Sequence, residues 1–462
     1  MNNTENSITT GVIWKQLLLF FFPILIGTFF QQLYNTVDTV IVGQYVGTQA
    51  LAAVGTTGTV INLLVGFFVG ISSGATVIIS QFYGAYDNEN ISKAVHTSIA
   101  LAIVGGVIIM VVGIATSRPI LVLMGVPDEI IDDAVLYMNI YYGGIIANMI
   151  YNVGTGILRA IGDSKMPLYV LIACCIANVV LDLLFVVVFH WGVFGVALAT
   201  VLSLVISAVL IMVRLMCTHE AYRVELKKIR FDMGILKNVV RIGLPSGLQS
   251  VMYSLSNLLI QASINSFGTT AIASWSAIGK IDGFIWMVMS AFGISVTTFV
   301  GQNFGARCYD RVRRCTRVGL TMALVSTLSL SAVIYAFGAP LLRFFTGDEA
   351  VVELGVNFFH VLAPSYFLFV FIEILSGAIR GAGEALQPML ITCVGVCGLR
   401  VVWLLVAVPM RHTMEMVAMN YPVSWIITAV IFIIYYLRGN WLDRCIRREH
   451  DPNHTTLKKA KQ

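Results

Sequence analysis

Between residues 13 and 437 the chain is a succession of apolar stretches, most of them long enough to cross a bilayer, separated by polar connections. Inside hydrocarbon every backbone N–H and C=O must be satisfied by the protein, which restricts lipid-embedded stretches of this kind to helices. A span needs about 20 apolar residues. The stretches are centred in 13–42, 51–82, 97–116, 134–158, 167–190 and 193–216, then, after a polar interval at 217–237, in 239–266, 271–303, 315–337, 354–379, 387–409 and 416–437. The sequence therefore predicts an all-α membrane protein with twelve transmembrane helices. Only 11% of residues are charged, against roughly 25% in soluble domains, which excludes a water-soluble enzyme. The first apolar run is too long for a cleaved signal and is expected to be a retained helix.

Basic residues orient the chain, because cytoplasmic loops are enriched in Lys and Arg. With the N-terminus inside, 24 of the 29 Lys and Arg residues fall in inner segments, including Arg223, Lys227, Lys228 and Arg230 in the middle loop and Arg311, Arg313, Arg314 and Arg317 before the ninth helix. Only Arg118, Arg343 and Arg411 fall outside, where Asp128, Glu129, Asp132, Asp133, Asp348, Glu349 and Glu353 gather. The expectation is a multi-pass protein of a bacterial-type plasma membrane with both termini cytoplasmic. It divides into an N-lobe (1–216), a cytoplasmic linker (217–237), a C-lobe (238–440) and a polar tail (441–462).

The chain also repeats itself at a spacing of 221–222 residues. Pro23 and Asn35 recur as Pro245 and Asn257, Gly47-Thr48 as Gly268-Thr269, and Gln81-Phe82-Tyr83-Gly84-Ala85 as Gln302-Asn303-Phe304-Gly305-Ala306. Leu158-Arg159-Ala160-Ile161-Gly162-Asp163 recurs as Ile379-Arg380-Gly381-Ala382-Gly383-Glu384. Repeats of this kind fix the architecture. Each copy holds six helices, an even number, so the copies are parallel repeats about an axis along the membrane normal. Two pseudo-symmetric six-helix lobes around a central cavity are expected, the arrangement of alternating-access transporters.

Six ionisable residues fall within helices: Asp38, Asp182, Lys280, Asp282, Glu373 and Arg400. A charge near the bilayer centre costs about 2.5–3.5 kcal/mol on insertion scales, so each is a functional candidate. The C-lobe holds two acids and two bases, and a charge network of Lys280, Asp282 and Arg400 with Glu373 is expected to pack as ion pairs. The N-lobe holds two acids and no base. Carboxylates without a fixed partner must be protonated or hold a mobile cation. The repeat counterparts of Asp38 and Asp182 are Ile260 and Trp403, so the acid pair exists once.

At ~1.5 Å per residue, Asp38 lies roughly 7 Å below the outer end of its helix, and Asp182 and Thr200 about 12 Å below theirs. Asn178 shares the helical face of Asp182. Asp38, Asn178, Asp182 and Thr200 would supply the oxygens that a hard cation such as Na+ requires. If protons bind instead, the two acids would share one. The alternative for Asp182 is a quiet hydrogen bond to a neighbouring helix. Pro23, fifteen residues before Asp38 in the same helix, is a candidate hinge, or else a static kink. Gln31, Tyr34, Asn35 and Asn257 give the first and seventh helices polar faces suited to a substrate cavity. Glu373, the counterpart of Asn152, is a further substrate-facing candidate.

Pro23 through Gly55, with Tyr34-Asn35-Thr36-Val37-Asp38, resembles the first two helices of the multidrug and toxic compound extrusion (MATE) transporters. The paired Leu158–Asp163 and Ile379–Glu384 turns, and Gly192-Val193-Phe194-Gly195-Val196-Ala197-Leu198-Ala199-Thr200, resemble that family's signatures, and the likeness covers about residues 12–440. The resemblance implies secondary active efflux of bulky, often cationic or amphipathic compounds in exchange for protons or sodium. In the DinF-type branch the cation is carried by acids of the first and fifth helices. Asp38, Asn178, Asp182 and Thr200 match that pattern, with Asn152 joining them. The other bacterial branch uses acids in the seventh and tenth helices; here the seventh has none and the tenth keeps Glu373.

Two other functions are weighed against efflux. A flippase for a lipid-linked saccharide would need several cavity arginines, and only Lys280 and Arg400 are intramembrane bases. An enzyme would need a catalytic constellation, yet the seven histidines form no metal-spaced pair, and the eight cysteines show no metal-like spacing. No cofactor is expected beyond the coupling ion, H+ or Na+. The expected partners are drugs or organic cations and the lipid bilayer, with no nucleic acid, around a monomer.

Overall fold

The computed structural model describes residues 7–450; the polar stretches 1–6 and 451–462 lie outside the described residues. Among the described residues there is no strand. Six helices form the first half: α1 (Ile13–Ile41), α2 (Thr48–Gly84), α3 (Asn88–Leu123), α4 (Asp128–Gly143, resuming as Ile145–Ala160), α5 (Lys165–Asp182) and α6 (Gly192–Met216). Six more form the second: α7 (Met233–Asn265), α8 (Thr269–Gly305), α9 (Tyr309–Arg343), α10 (Glu349–Leu362, resuming as Tyr366–Gly381), α11 (Leu386–Thr392, resuming as Leu399–Met410) and α12 (Met414–Arg438). A last helix, α13, spans Trp441–His450.

Ten of these segments are long and apolar enough to cross a membrane. The other two have local reasons for falling short. α4 is divided at Gly144 into two pieces of 16 residues, and α7 carries Gln249, Asn257 and Gln261 among its apolar residues.

The duplication is visible in the backbone. α2 and α8 are both 37 residues long, offset by 221. Each follows a glycine, Gly47 (φ 116°) or Gly268 (φ 89°), in a conformation that side chains with a Cβ rarely adopt. At the far end of each helix the same left-handed turn recurs at Tyr86 and Arg307. Side-chain caps close other helix starts: Asp87 accepts from the Asn90 N–H and Thr413 from the Met416 N–H, satisfying donors the helix leaves over.

The chain packs into two compact units. One comprises Phe22–Gly247; the other takes the remaining described residues, those before Phe22 and those from Leu248 to His450. The divisions fall inside helices, one residue before Pro23 in α1 and two residues after Pro245 in α7. Proline has no N–H to donate, so the Leu19 carbonyl loses its helical partner at Pro23. Within the Phe22–Gly247 unit, α2 and the start of α7 touch backbone to backbone. A Cβ on Gly74 would lie 2.3 Å from the Val239 carbonyl oxygen, and one on Gly243 2.3 Å from that of Ile71. Small residues permit such close helix approach in membranes. The outer faces are apolar: Val111, Val394 and Leu405 are all exposed, as lipid contact allows.

The interval 217–237 is tied down rather than loose. The Glu225 N–H donates to Nε2 of His96 (3.0 Å), and the Asp232 N–H to Oγ1 of Thr97 (3.0 Å). Lys228 sits 2.7 Å from Glu225 and holds its carboxyl below the usual carboxylate range. The region read as a polar tail from 441 begins instead with α13. Its apolar residues 441, 442, 445 and 446 recur on one helical face, and Trp441, Leu442 and Cys445 are buried.

Candidate functional site

In the Phe22–Gly247 unit, α1 and α5 each carry an aspartate just before the helix loosens. Asp38 stands four residues ahead of a π-helical segment, Val42–Val46, and Asp182 is the last α-helical residue before another, Leu183–Val188. Single π-turns are frequent at functional sites. The two carboxyls lie close enough to act on each other. Both are acceptors when ionised, so neither can satisfy the other. Oδ1 of Asp38 and both Asp182 oxygens accept no hydrogen bond, although Asp182 is fully buried. One turn earlier, Asn178 is also fully buried, and neither its oxygen nor its nitrogen has a partner. Native interiors rarely leave such groups unpaired.

Around the pair stands a polar aromatic shell. Tyr137 of α4 lies beside Thr200 of α6 and near both aspartates. Tyr34, one turn before Asp38 on α1, approaches Tyr137 and Tyr141, and the rings of Tyr137 and Tyr141 stack with centroids 6.4 Å apart. Thr200 is buried and donates to the Val196 carbonyl at 3.1 Å. Asn152 does not join the aspartates by any recorded contact; its amide donates to Oδ1 of Asn148 (2.6 Å), and Asn148 donates to the Tyr141 hydroxyl (3.1 Å). It reaches the shell through this chain. Gln31 and Asn35 are exposed on α1, and Asn35 donates to Gln32 at 3.4 Å.

The repeat-related positions in the other unit are apolar or bonded: Ile260 is buried, and the Trp403 indole donates to the Met416 carbonyl at 2.7 Å. This unit instead encloses a cavity of about 530 Å³ lined by Asn257, Asp282, Trp286, Glu373, Arg400 and Tyr421 among others. Arg400, 2% exposed, donates to Asn257 (3.4 Å) and lies over the Tyr421 ring, 4.7 Å from its centroid. Asp282 accepts from the Trp286 indole at 2.6 Å. The expected ion-paired network is not formed among the described residues: Asp282 and Arg400 line one cavity without an ion pair between them, and Lys280 is exposed and pairs with neither. Residues two apart on a helix face different sides, and Asp282 takes the inward one. Glu373 packs against Gly293, where a Cβ would come within 2.4 Å of its carboxylate.

Sequence reasoning missed Tyr137, Tyr141 and Asn148. For the tyrosines the signal was present as three tyrosines and Asn139 within 137–142, unusual polarity for a span; Asn148 lies outside that cluster. Among the described residues no three His, Cys, Asp or Glu side chains group together; carboxylate, amide and hydroxyl oxygens are the donor types that hard cations take.

The family model described as MatE matches the chain twice, over residues 23–184 and 245–406. The chain belongs to the MatE family. The two matches are offset by 222 residues, the spacing of the internal repeat. Like other MatE proteins it is a membrane transporter and not an enzyme. The chain is 28% identical to "Probable multidrug resistance protein YoeA" of Bacillus subtilis, over 92% of this chain and 93% of that one. It is 25% identical to "Probable multidrug resistance protein NorM" of Thermotoga maritima, over 94% of each. A solved outward-facing multidrug resistance MATE family transporter of the MOP superfamily superposes with a TM-score of 0.87 at 22% identity, covering 96% of this chain and 98% of that one. The twelve-helix MATE-type fold is thereby shown for this chain.

Proposed function

We propose that this MatE chain exports bulky amphipathic or cationic compounds by alternating access, driven by a proton or sodium ion that enters at Asp38 and Asp182. The observation that carries this reading is the meeting of two carboxyls with no donor between them, beside the fully buried and unpaired Asn178. A cation placed among Asp38, Asp182, the Asn178 oxygen and the Thr200 hydroxyl would answer every one of these acceptors with charge. A proton shared by the two aspartates would do the same for the carboxyl pair alone.

Arg400 supports the assignment to this half, since its recorded partners, Asn257 and Tyr421, both belong to its own unit. Ion occupancy would reach the substrate side through α1, where Pro23 weakens the helix fifteen residues before Asp38. The orientation is the one the basic residues favour, both termini cytoplasmic in a bacterial plasma membrane, and the working unit is a monomer. Tyr34, Gln31 and Asn35 on α1, and Asn257 and Glu373 in the other unit, are the residues offered to the cargo.

The test is a vesicle assay with a fluorescent cationic dye as cargo, comparing an imposed pH gradient with an imposed sodium gradient. One of them should drive dye movement in the wild type. Dye movement that ignores both gradients would defeat the coupling proposal.

A further inference from the structure

A second cavity, of about 440 Å³, lies away from the sites above, among α9, α10, α12 and α13. Its charged lining is two arginines, Arg313 and Arg317, and one acid, Asp443, which leaves a net positive charge. Arg313 and Arg317 stand four residues apart on one face of α9, roughly 6 and 12 Å in from the start of that helix at Tyr309. Both are exposed, neither forms an ion pair among the described residues, and both line the cavity with Tyr436. Trp441 of α13 closes one side, its indole donating to the Tyr436 carbonyl at 3.1 Å. Leu320, Phe371, Leu375, Ile433 and Leu437 give it an apolar side, and Leu437 is 73% exposed.

The duplication supplies a control within the same molecule. The counterparts of Arg313 and Arg317 in the first repeat are Ser92 and His96. There His96 is buried and accepts from the Glu225 N–H, so the linker fills the space that stays open in the second repeat. Two unpaired guanidinium groups at interfacial depth, an aromatic pair and an apolar side form a once-only feature of the second half. Guanidinium is weakly hydrated and binds phosphate bidentately. Tyrosine and tryptophan favour the headgroup level, and basic pockets between transmembrane helices on the cytoplasmic side recognise anionic headgroups.

We propose that this cavity is a binding site for an anionic glycerophospholipid of the inner leaflet, its phosphodiester held by Arg313 and Arg317 and an acyl chain lying past Leu437. The assignment to the inner leaflet rests on the orientation proposed above.

The test is native mass spectrometry of the full chain released from bilayers of phosphatidylcholine with graded phosphatidylglycerol. The wild type should retain phosphatidylglycerol in preference to phosphatidylcholine, and sn-glycerol 3-phosphate should not displace it. At roughly fivefold per arginine, R313A/R317A should weaken retention about 25-fold, and R313K/R317K should recover part of it. Equal retention of both lipids by the wild type would overturn the proposal without any variant. So would wild-type phosphatidylglycerol retention by R313A/R317A, or displacement by the soluble phosphate ester. Labelling of the exposed Cys308 with a membrane-impermeant maleimide reads the orientation separately. Labelling from outside the cell would overturn the leaflet assignment and the proposed orientation, while the lipid measurements would still judge the arginine site.

Discussion

Replacing Asp182 by Asn removes one of two facing carboxylates without changing the shape of a fully buried side chain. Two unit charges 4 Å apart interact by about 4 kcal/mol at an effective dielectric near 20, which is roughly a thousandfold in an equilibrium constant. That repulsion is what a bound cation relieves, so the single substitution should weaken cation binding by about that factor. The new amide can also donate to Asp38, so the protein without added ion should melt no lower than the wild type. The assay is thermal unfolding in detergent across a titration of sodium, repeated across a titration of protons. A cation at a hundred times its Kd stabilises the wild type by about 2.7 kcal/mol. D182N should show none of that gain. The same ion-dependent gain in D182N would refute the reasoning, because it would place the responding ion elsewhere.

Three further outcomes follow from the helix packing and from the 530 Å³ cavity of the second half. G74A should lower thermal stability by at least the 1–3 kcal/mol of ordinary overpacking, since the new methyl meets the Val239 carbonyl oxygen at 2.3 Å; an unchanged melting temperature would show that α2 and α7 are less closely apposed. R400A should cost about 1–3 kcal/mol by removing the hydrogen bond to Asn257 and the cation over the Tyr421 ring, read by thermal unfolding; an unchanged melting temperature would show that these contacts contribute nothing. E373Q should change the relative export of different dyes while leaving the response to the driving gradient intact. A complete loss of ion response there would move coupling into the second half.

The helices and the duplication were legible because lipid imposes a simple rule: long apolar runs become helices, and a twofold sequence repeat becomes a twofold backbone repeat. Gly47 and Gly268 carry that repeat into the turn geometry. The acid pair was legible because its counterparts, Ile260 and Trp403, are not acids. What escaped is set by side-chain direction and by irregular turns. Lys280 and Asp282 are neighbours in sequence, yet only one faces the cavity. The π-helical segments beside Asp38 and Asp182 have no signature in the residues around them. Residues 441–450 read as polar because arginines alternate with the few apolar positions, and only the helical projection shows that Trp441, Leu442 and Cys445 share a buried side. Asn152 could be placed on the right helix but not on the right partner, because Asn148 lies one turn away and takes its hydrogen bonds.

The most direct test of cation occupancy is infrared difference spectroscopy of the carboxyl stretches in the intact transporter, recorded as protons or sodium are supplied. The account predicts a carboxyl signal that responds to one of these ions and disappears in both D38N and D182N. A signal that survives in both variants, or no ion-dependent carboxyl change in the wild type, would contradict it.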